Sequence, residues 1–139
     1  SETERREMTE KNKGRVEETI RQLVARLLMR KVKDPRVSDV SLTRVEVSKD
    51  YSVAKIYYNL IGGSPAEKIA ETEKGLASSR GYIRSQIRSH LRLRVIPELV
   101  FIYDASLDRA MHIEELIGKI HEERERRGDA GEEEETGGE

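Results

Sequence analysis

The sequence predicts an α+β domain, and three observations predict it. Apolar residues recur at helical spacing near the start, in the middle and near the end of the chain. Between them, residues 40–61 alternate apolar and polar with period two. A short apolar run of strand length, Leu99–Tyr103, follows the middle helical region. The predicted order is helix, strand, strand, helix, helix, strand, helix, with no internal repeat.

The first helix begins near Arg15, where Val16, Ile20, Leu23, Val24, Leu27 and Leu28 form one apolar face. Arg30, Lys31 and Lys33 fall in or beyond its last turn, where cations suit the helix dipole. Asp34-Pro35 stops it, because the residue before proline avoids the α region. In the first strand Val45 and Val47 alternate with Arg44, Glu46 and Ser48; in the second Ala54, Ile56, Tyr58 and Leu60 alternate with Val53, Lys55, Tyr57 and Asn59. The short polar link Lys49-Asp50-Tyr51-Ser52 makes the pair a hairpin.

Gly62-Gly63 ends the second strand, and Ser64-Pro65-x-Glu67 reads as a capping box with proline at the first helical position. A helix start also offers free amides to phosphate, but capping accounts for Ser64. That helix carries Ile69 and Leu76 inward and meets Ser79-Arg80-Gly81, where small residues either kink one helix or separate two. The next helix has Ile83, Ile87 and Leu91 at steps of four, and Pro97 closes the segment. After the third strand, Ser106 caps a last helix with Ala110, Ile113, Leu116, Ile117 and Ile120 on its apolar face.

A chain of 139 residues with 38% charged and 35% hydrophobic residues supports one domain with a modest core. The expected division is a flexible segment over 1–14, a folded domain over 15–121 and a disordered acidic tail over 122–139. Cysteine is absent, which excludes disulfides and thiolate metal sites and suits a cytoplasmic setting. No run approaches the roughly 20 apolar residues of a membrane span, and no secretory signal pattern opens the chain.

The net charge of −1 conceals an asymmetry. Residues 122–139 hold nine acids against three arginines, leaving 23 basic and 18 acidic residues in 1–121. Between Glu73 and Glu98 there is no acid at all, while Lys74, Arg80, Arg84, Arg88, Arg92 and Arg94 lie in that interval. Residues four apart advance about 40° around a helix, so Arg80, Arg84, Arg88 and Arg92 form a sloping stripe beside Ile83, Ile87 and Leu91. Repelling like charges with no acid to offset them suit a phosphate backbone, which guanidinium groups bind bidentately. The competing readings are a solvated face, or one neutralised by Glu114, Glu115 or the acidic tail. The tail either folds back on the stripe or serves as a solubilising end, the reading preferred here.

Catalysis has little support. His90, His112 and His121 share no metal-ligand spacing, and no phosphate-loop, dinucleotide or nucleophile-elbow motif occurs. Asp104, Ser106 and His112 could suggest a triad, but capping explains Ser106. Aromatic residues are 4%, too few for the stacking platform of an RRM, and the two consecutive middle helices hold no GxxG of a KH domain, since Gly75 and Gly81 are six apart.

Several strings resemble the bacterial ribosome-binding factor A family. They are Lys33-Asp34-Pro35-Arg36, Val45–Asp50 running into Ala54–Tyr57, Gly81–Ser85, Leu91–Leu99, Phe101 and Asp104-Ala105-Ser106, in the family's order. The resemblance implies a KH-like fold of the second type, αββααβ plus a C-terminal helix. It also implies an interhelical kink where other KH domains carry GxxG. The family's Ala-x-Gly stands here as Ser79-Arg80-Gly81. It further implies a non-catalytic, cytoplasmic, monomeric factor without cofactor. Its partner would be the small ribosomal subunit and its RNA during late maturation and 5′-end processing, especially in the cold. The expected RNA-binding residues are Lys74, Ser79, Arg80, Gly81, Arg84, Arg88, Arg92 and Arg94. The alternative function is an adaptor that recruits an acidic protein partner.

Overall fold

The computed structural model describes the backbone of residues 2–137 and the side chains of residues 12–128. Among them the chain forms helix α1 (Glu2–Arg30), a 3₁₀ turn (Pro35–Val37), strands β1 (Val40–Val47) and β2 (Val53–Leu60), helix α2 (Ala66–His90), strand β3 (Glu98–Tyr103) and helix α3 (Ser106–Gly137). Two compact units result, Ser1–Asp104 and Ala105–Glu139. The flexible lead-in expected over 1–14 and the acidic tail expected over 122–139 fall largely on side chains outside the described residues. The backbone there is helical as far as Glu2 and Gly137. Both stretches are rich in Glu and Arg, good helix formers even without an apolar face.

In the first unit, Ile20, Leu23, Val24, Leu27 and Leu28 of α1 are buried, with Val16 packed at their edge. The period-3.6 face is the one the sequence shows. Lys31 and Val32 both donate their N–H groups to the Leu27 carbonyl (2.9 and 2.8 Å), which closes the helix before Asp34 is reached. Asp34 then caps the 3₁₀ turn, accepting from the Arg36 N–H at 3.0 Å. Its carboxylate also takes the Arg36 guanidinium side-on, with Nε to Oδ1 at 3.0 Å and Nη2 to Oδ2 at 2.7 Å. That guanidinium holds the Asp34 carboxyl below the usual carboxylate range. The pair's contribution to stability is therefore present above the unfolded carboxyl pKa and is lost as pH falls through the folded one.

β1 and β2 form an antiparallel hairpin with Val45 opposite Ile56 and Val47 opposite Ala54; one bulge lies between Leu42 and Arg44. In the connection, Tyr51 takes a left-handed φ of 62° while Asp50 accepts from the Ser52 N–H and from the hydroxyls of Ser48 and Ser52. Tyr51 is tied down by its side chain, which packs on the core. β3 lies parallel to β2, Ala54 beside Leu99 and Tyr58 beside Tyr103, so the sheet order is β1-β2-β3. A parallel neighbour requires a crossover, and α2 supplies it. Val45, Val47, Ala54, Ile56, Tyr58, Leu60 and Leu99 share one core with both helices. Arg44, Glu46, Lys55 and Tyr57 occupy the wetter face, where the Arg44 guanidinium sits 4.1 Å over the Tyr57 ring. Tyr58 is fully buried, edge-on to Tyr103 with 5.7 Å between ring centres, and burial pushes its hydroxyl up to about 12.

Three sequence expectations are corrected. The two middle helices are one: α2 runs unbroken from Ala66 to His90. Apolar spacing alone leaves a gap between Leu76 and Ile83, but Thr72, Gly75 and Ser79 are buried too, so a single buried stripe continues from Thr72 to Ile87. Ser64 does not cap α2. Pro65 takes the capping position without a side-chain bond, and the Ser64 hydroxyl has no partner among the described residues. The left-handed turn at Gly62 (φ 86°) and Gly63 (φ 107°) aims the chain into the helix instead. Ser106 is the first residue of α3 rather than its cap. In the second unit α3 is amphipathic, with Ile113, Leu116, Ile117 and Ile120 each about half exposed, because a single helix has nothing in its own unit to cover that face.

Two glycines of α2 play opposite parts. A Cβ at Gly75 would lie 2.8 Å from Val37 Cγ1 and 3.0 Å from Arg36 Cβ, whereas one at Gly81 would meet nothing within 4 Å. Gly75→Ala is expected to lower the unfolding free energy by about 1–3 kcal/mol. Gly81→Ala is expected to raise it by about 0.5–1 kcal/mol. Urea denaturation of the two variants checks both signs.

Candidate nucleic-acid interface

The sequence-predicted binding residues all lie in the first unit, on α2 and on the stretch that joins it to β3. Burial of Leu76, Ile83 and Ile87 fixes which face of α2 is turned away from the core. Arg80 and Arg88 stand on that outer face, exposed and without an ionic partner among the described residues. Gly81 is exposed beside them, with open space above its Cα. A backbone approach by a ligand meets no side chain there.

The rest of the predicted stripe divides. Arg84 folds back over the α2–β3 connection, where Nε donates to the Pro97 carbonyl at 3.1 Å and Nη2 to the Ile96 carbonyl at 3.0 Å. Glu98 is 3.9 Å away and mostly exposed, so its attraction adds little. Arg84 is thus largely a clamp on the loop. Ser79 is buried, and its hydroxyl donates to the Gly75 carbonyl one turn back at 3.0 Å. Its small size lets the helix sit close to the core; its polar atom is spent inside the helix. Lys74 is exposed and pairs with Glu71 at 3.3 Å.

Arg92 does not continue the helical stripe. Leu91 caps α2 in an extended conformation (φ −117°, ψ 132°), with its N–H bonded to the Ile87 carbonyl. From there the chain alternates: Leu91 and Leu93 pack against the core, and Arg92 and Arg94 point out. The Leu-Arg-Leu-Arg string carries that period two in plain view, and a helix-only reading passes over it. No sequence pattern marks the Arg84 clamp, since its acceptors are backbone carbonyls. The result is four exposed guanidinium groups without an ionic partner among the described residues, Arg80, Arg88, Arg92 and Arg94, on an acid-free segment that also holds the open Gly81. Such a surface can take several phosphates.

The described residues contain no cluster of three or more His, Cys, Asp or Glu side chains able to hold a metal. The Asp104 carboxylate accepts from the Thr43 hydroxyl at 2.9 Å, a structural tie to β1. No described helix is long and apolar enough to cross a membrane.

Comparison with known proteins follows the same segment. Residues 12–117 match the family model described as Ribosome-binding factor A. The chain belongs to the ribosome-binding factor A family. Among its relatives, the ribosome-binding factor A of Nitrosomonas europaea is 44% identical over 103 residues, covering 74% of this chain and 86% of that one. That of Methylobacillus flagellatus is 50% identical over 104 residues, covering 74% and 79%. The solution structure of a Thermotoga maritima protein, described as a candidate ribosome binding factor A, is 33% identical with a TM-score of 0.57, covering 66% of this chain and 85% of that one. The crystal structure of ribosome-binding factor A from Thermus thermophilus, at 21% identity, shares the fold, with a TM-score of 0.57 over 66% and 93% of the two chains.

The division of labour among the arginines is measurable. Arg84→Ala should lower the unfolding free energy by about 1–2 kcal/mol, since two backbone carbonyls lose the charged donor that satisfies them. Arg80→Ala and Arg88→Ala should stay within about 0.5 kcal/mol of the parent. Thermal and urea unfolding of the three single variants distinguishes clamp from free surface.

Proposed function

We propose that this chain is a non-catalytic ribosome assembly factor that binds the small ribosomal subunit through its ribosomal RNA. Membership of the ribosome-binding factor A family supports the ribosome as partner. The observation that carries the RNA reading is the set of four guanidinium groups without an ionic partner among the described residues, Arg80, Arg88, Arg92 and Arg94, on the acid-free segment that holds Gly81. The working domain is residues 15–121, a KH-like fold of the second type in which Ser79-Arg80-Gly81 stands in place of GxxG. α2 then presents backbone at Gly81 to RNA without a break in the helix. Lys74 and Arg84 contribute charge at the margin, and Ser79 contributes by being small. Binding favours one conformation of an immature subunit, in late maturation and 5′-end processing, with most effect in the cold. The factor acts in the cytoplasm as a monomer, without cofactor.

Co-sedimentation with purified small subunits, large subunits and whole ribosomes is the test. Selective binding to small subunits is expected. With four phosphates neutralised, log K against log salt should have a slope of about −2.8, using the single-strand coefficient. Arg80→Glu combined with Arg88→Glu should remove binding while unfolding is unchanged, because neither side chain touches the core. Equal binding to all particles would reduce the surface to a general phosphate binder. Binding that survives the double variant and resists competition by RNA would favour the adaptor that recruits an acidic protein.

A further inference from the structure

The free edge of the sheet carries a second surface. In the order β1-β2-β3, β1 has no strand on its outer side among the described residues. Two bonds set the phase of the ladder: the Ile61 N–H donates to the Asp39 carbonyl and the Ser48 N–H to the Val53 carbonyl, both at 2.9 Å. Successive residues of a strand turn their N–H and C=O groups to opposite sides. Asp39 and Ser41 therefore face β2, and Val40 and Leu42 face the open edge. Farther along, the outward Val47 N–H is already taken by the Glu17 carboxylate at 2.7 Å, and the bulge between Leu42 and Arg44 interrupts the edge. These devices close one end of the edge to pairing and leave residues 40–42 open.

A groove of about 570 Å³ runs beside that open stretch. Ala25, Leu28 and Met29 of α1, with Val32 just beyond its end, form one wall; Val40 and Leu42 form the other. Met29 is 80% exposed and Ile61, at the groove's end, is 67% exposed, an unusual exposure for large apolar side chains. Lys33 lines the groove, and Arg30 and Lys31 follow Met29 in the chain. All three are exposed and have no ionic partner among the described residues. The one acid in the lining, Asp34, is closed on Arg36. The rim is thus positive and the floor apolar, and no aromatic side chain lines it for a base to stack on.

We propose that this groove accepts an extended segment of a partner protein, with apolar residues at alternate positions and acidic residues between or beside them. The segment pairs with Val40 and Leu42 as a fourth strand. Its apolar side chains enter the groove between α1 and β1, and its carboxylates meet Lys33 in the lining. Charge complementarity and the open strand edge both select this occupant over RNA. β1 is the opposite edge of the sheet from β3, the strand that follows the arginine-bearing segment, so the inference does not rest on the RNA reading.

The test titrates the isotope-labelled full chain with a synthetic decapeptide of alternating Val and Glu. Parallel titrations use a peptide of the same composition in two blocks and a single-stranded RNA oligonucleotide. The alternating peptide should shift the Val40 and Leu42 amides and the Met29 methyl group and leave Arg80 and Arg88 unmoved. Met29→Glu should weaken it at least about tenfold, Met29→Leu should retain it, and both variants should unfold like the parent because Met29 is 80% exposed. Equal shifts from the block peptide, shifts at the groove from RNA instead, or no shift at the groove would each overturn the proposal.

Discussion

The seating of α2 on the 3₁₀ turn is the constraint on which the rest of the first unit depends. At Gly75 the helix approaches Val37 and Arg36 so closely that no side chain fits between them. Asp34 makes that approach possible by holding the turn from within, through the Arg36 N–H and guanidinium together. Arg36 also reaches the Ser78 hydroxyl at 3.4 Å, so the turn and the helix are linked beside their contact. With α2 placed by this contact and by Leu76, Ile83 and Ile87, the crossover from β2 to β3 follows, and β3 falls parallel to β2. The outward direction of Arg80 and Arg88 is a consequence of the same packing.

Small residues do two jobs in α2 that hydrophobicity does not reveal. Thr72 and Ser79 return their hydroxyls to carbonyls one turn back, at Lys68 and Gly75, and so bury a polar group without an unmet bond. They also keep the helix surface low where it meets its neighbours. Gly81, by contrast, has empty space around it. Its cost to the helix, about 1 kcal/mol against alanine, has no return in packing, which suits a place kept open for another molecule.

Charge is likewise divided between structure and surface. Arg36 and Arg84 are held by acceptors of the fold, and Lys74 and Arg21 lie in exposed pairs with Glu71 and Glu18. Two groups of cations without an ionic partner among the described residues concern binding: those of α2 and the stretch to β3, and those at the end of α1 near the open edge of β1. The first shares its segment with an open glycine and the second includes Lys33 at an apolar groove, so the two suit different chemistry. Electrostatics of this kind steers encounter and sets specificity more than it stabilises the chain.

The sequence by itself determined the class of the fold, the hairpin and the buried face of α1. Those follow from local periodicity, and the Val16–Leu28 and Val45–Leu60 patterns carry it without help from the rest of the chain. It also determined the acid-free interval that holds the candidate interface, because charge is additive along the chain. Only the tertiary structure decided that α2 is one helix, since its continuity rests on burial of Thr72, Gly75 and Ser79, residues whose composition gives no sign of being inside. Only the tertiary structure separated Arg84 from Arg80 and Arg88. Four residues apart on one helix they look alike, and what divides them is the position of two carbonyls twelve and thirteen residues farther on. The free edge of β1 belongs to the same class of fact: strand order depends on where the crossover helix lands, and that is set by packing between residues far apart in the chain.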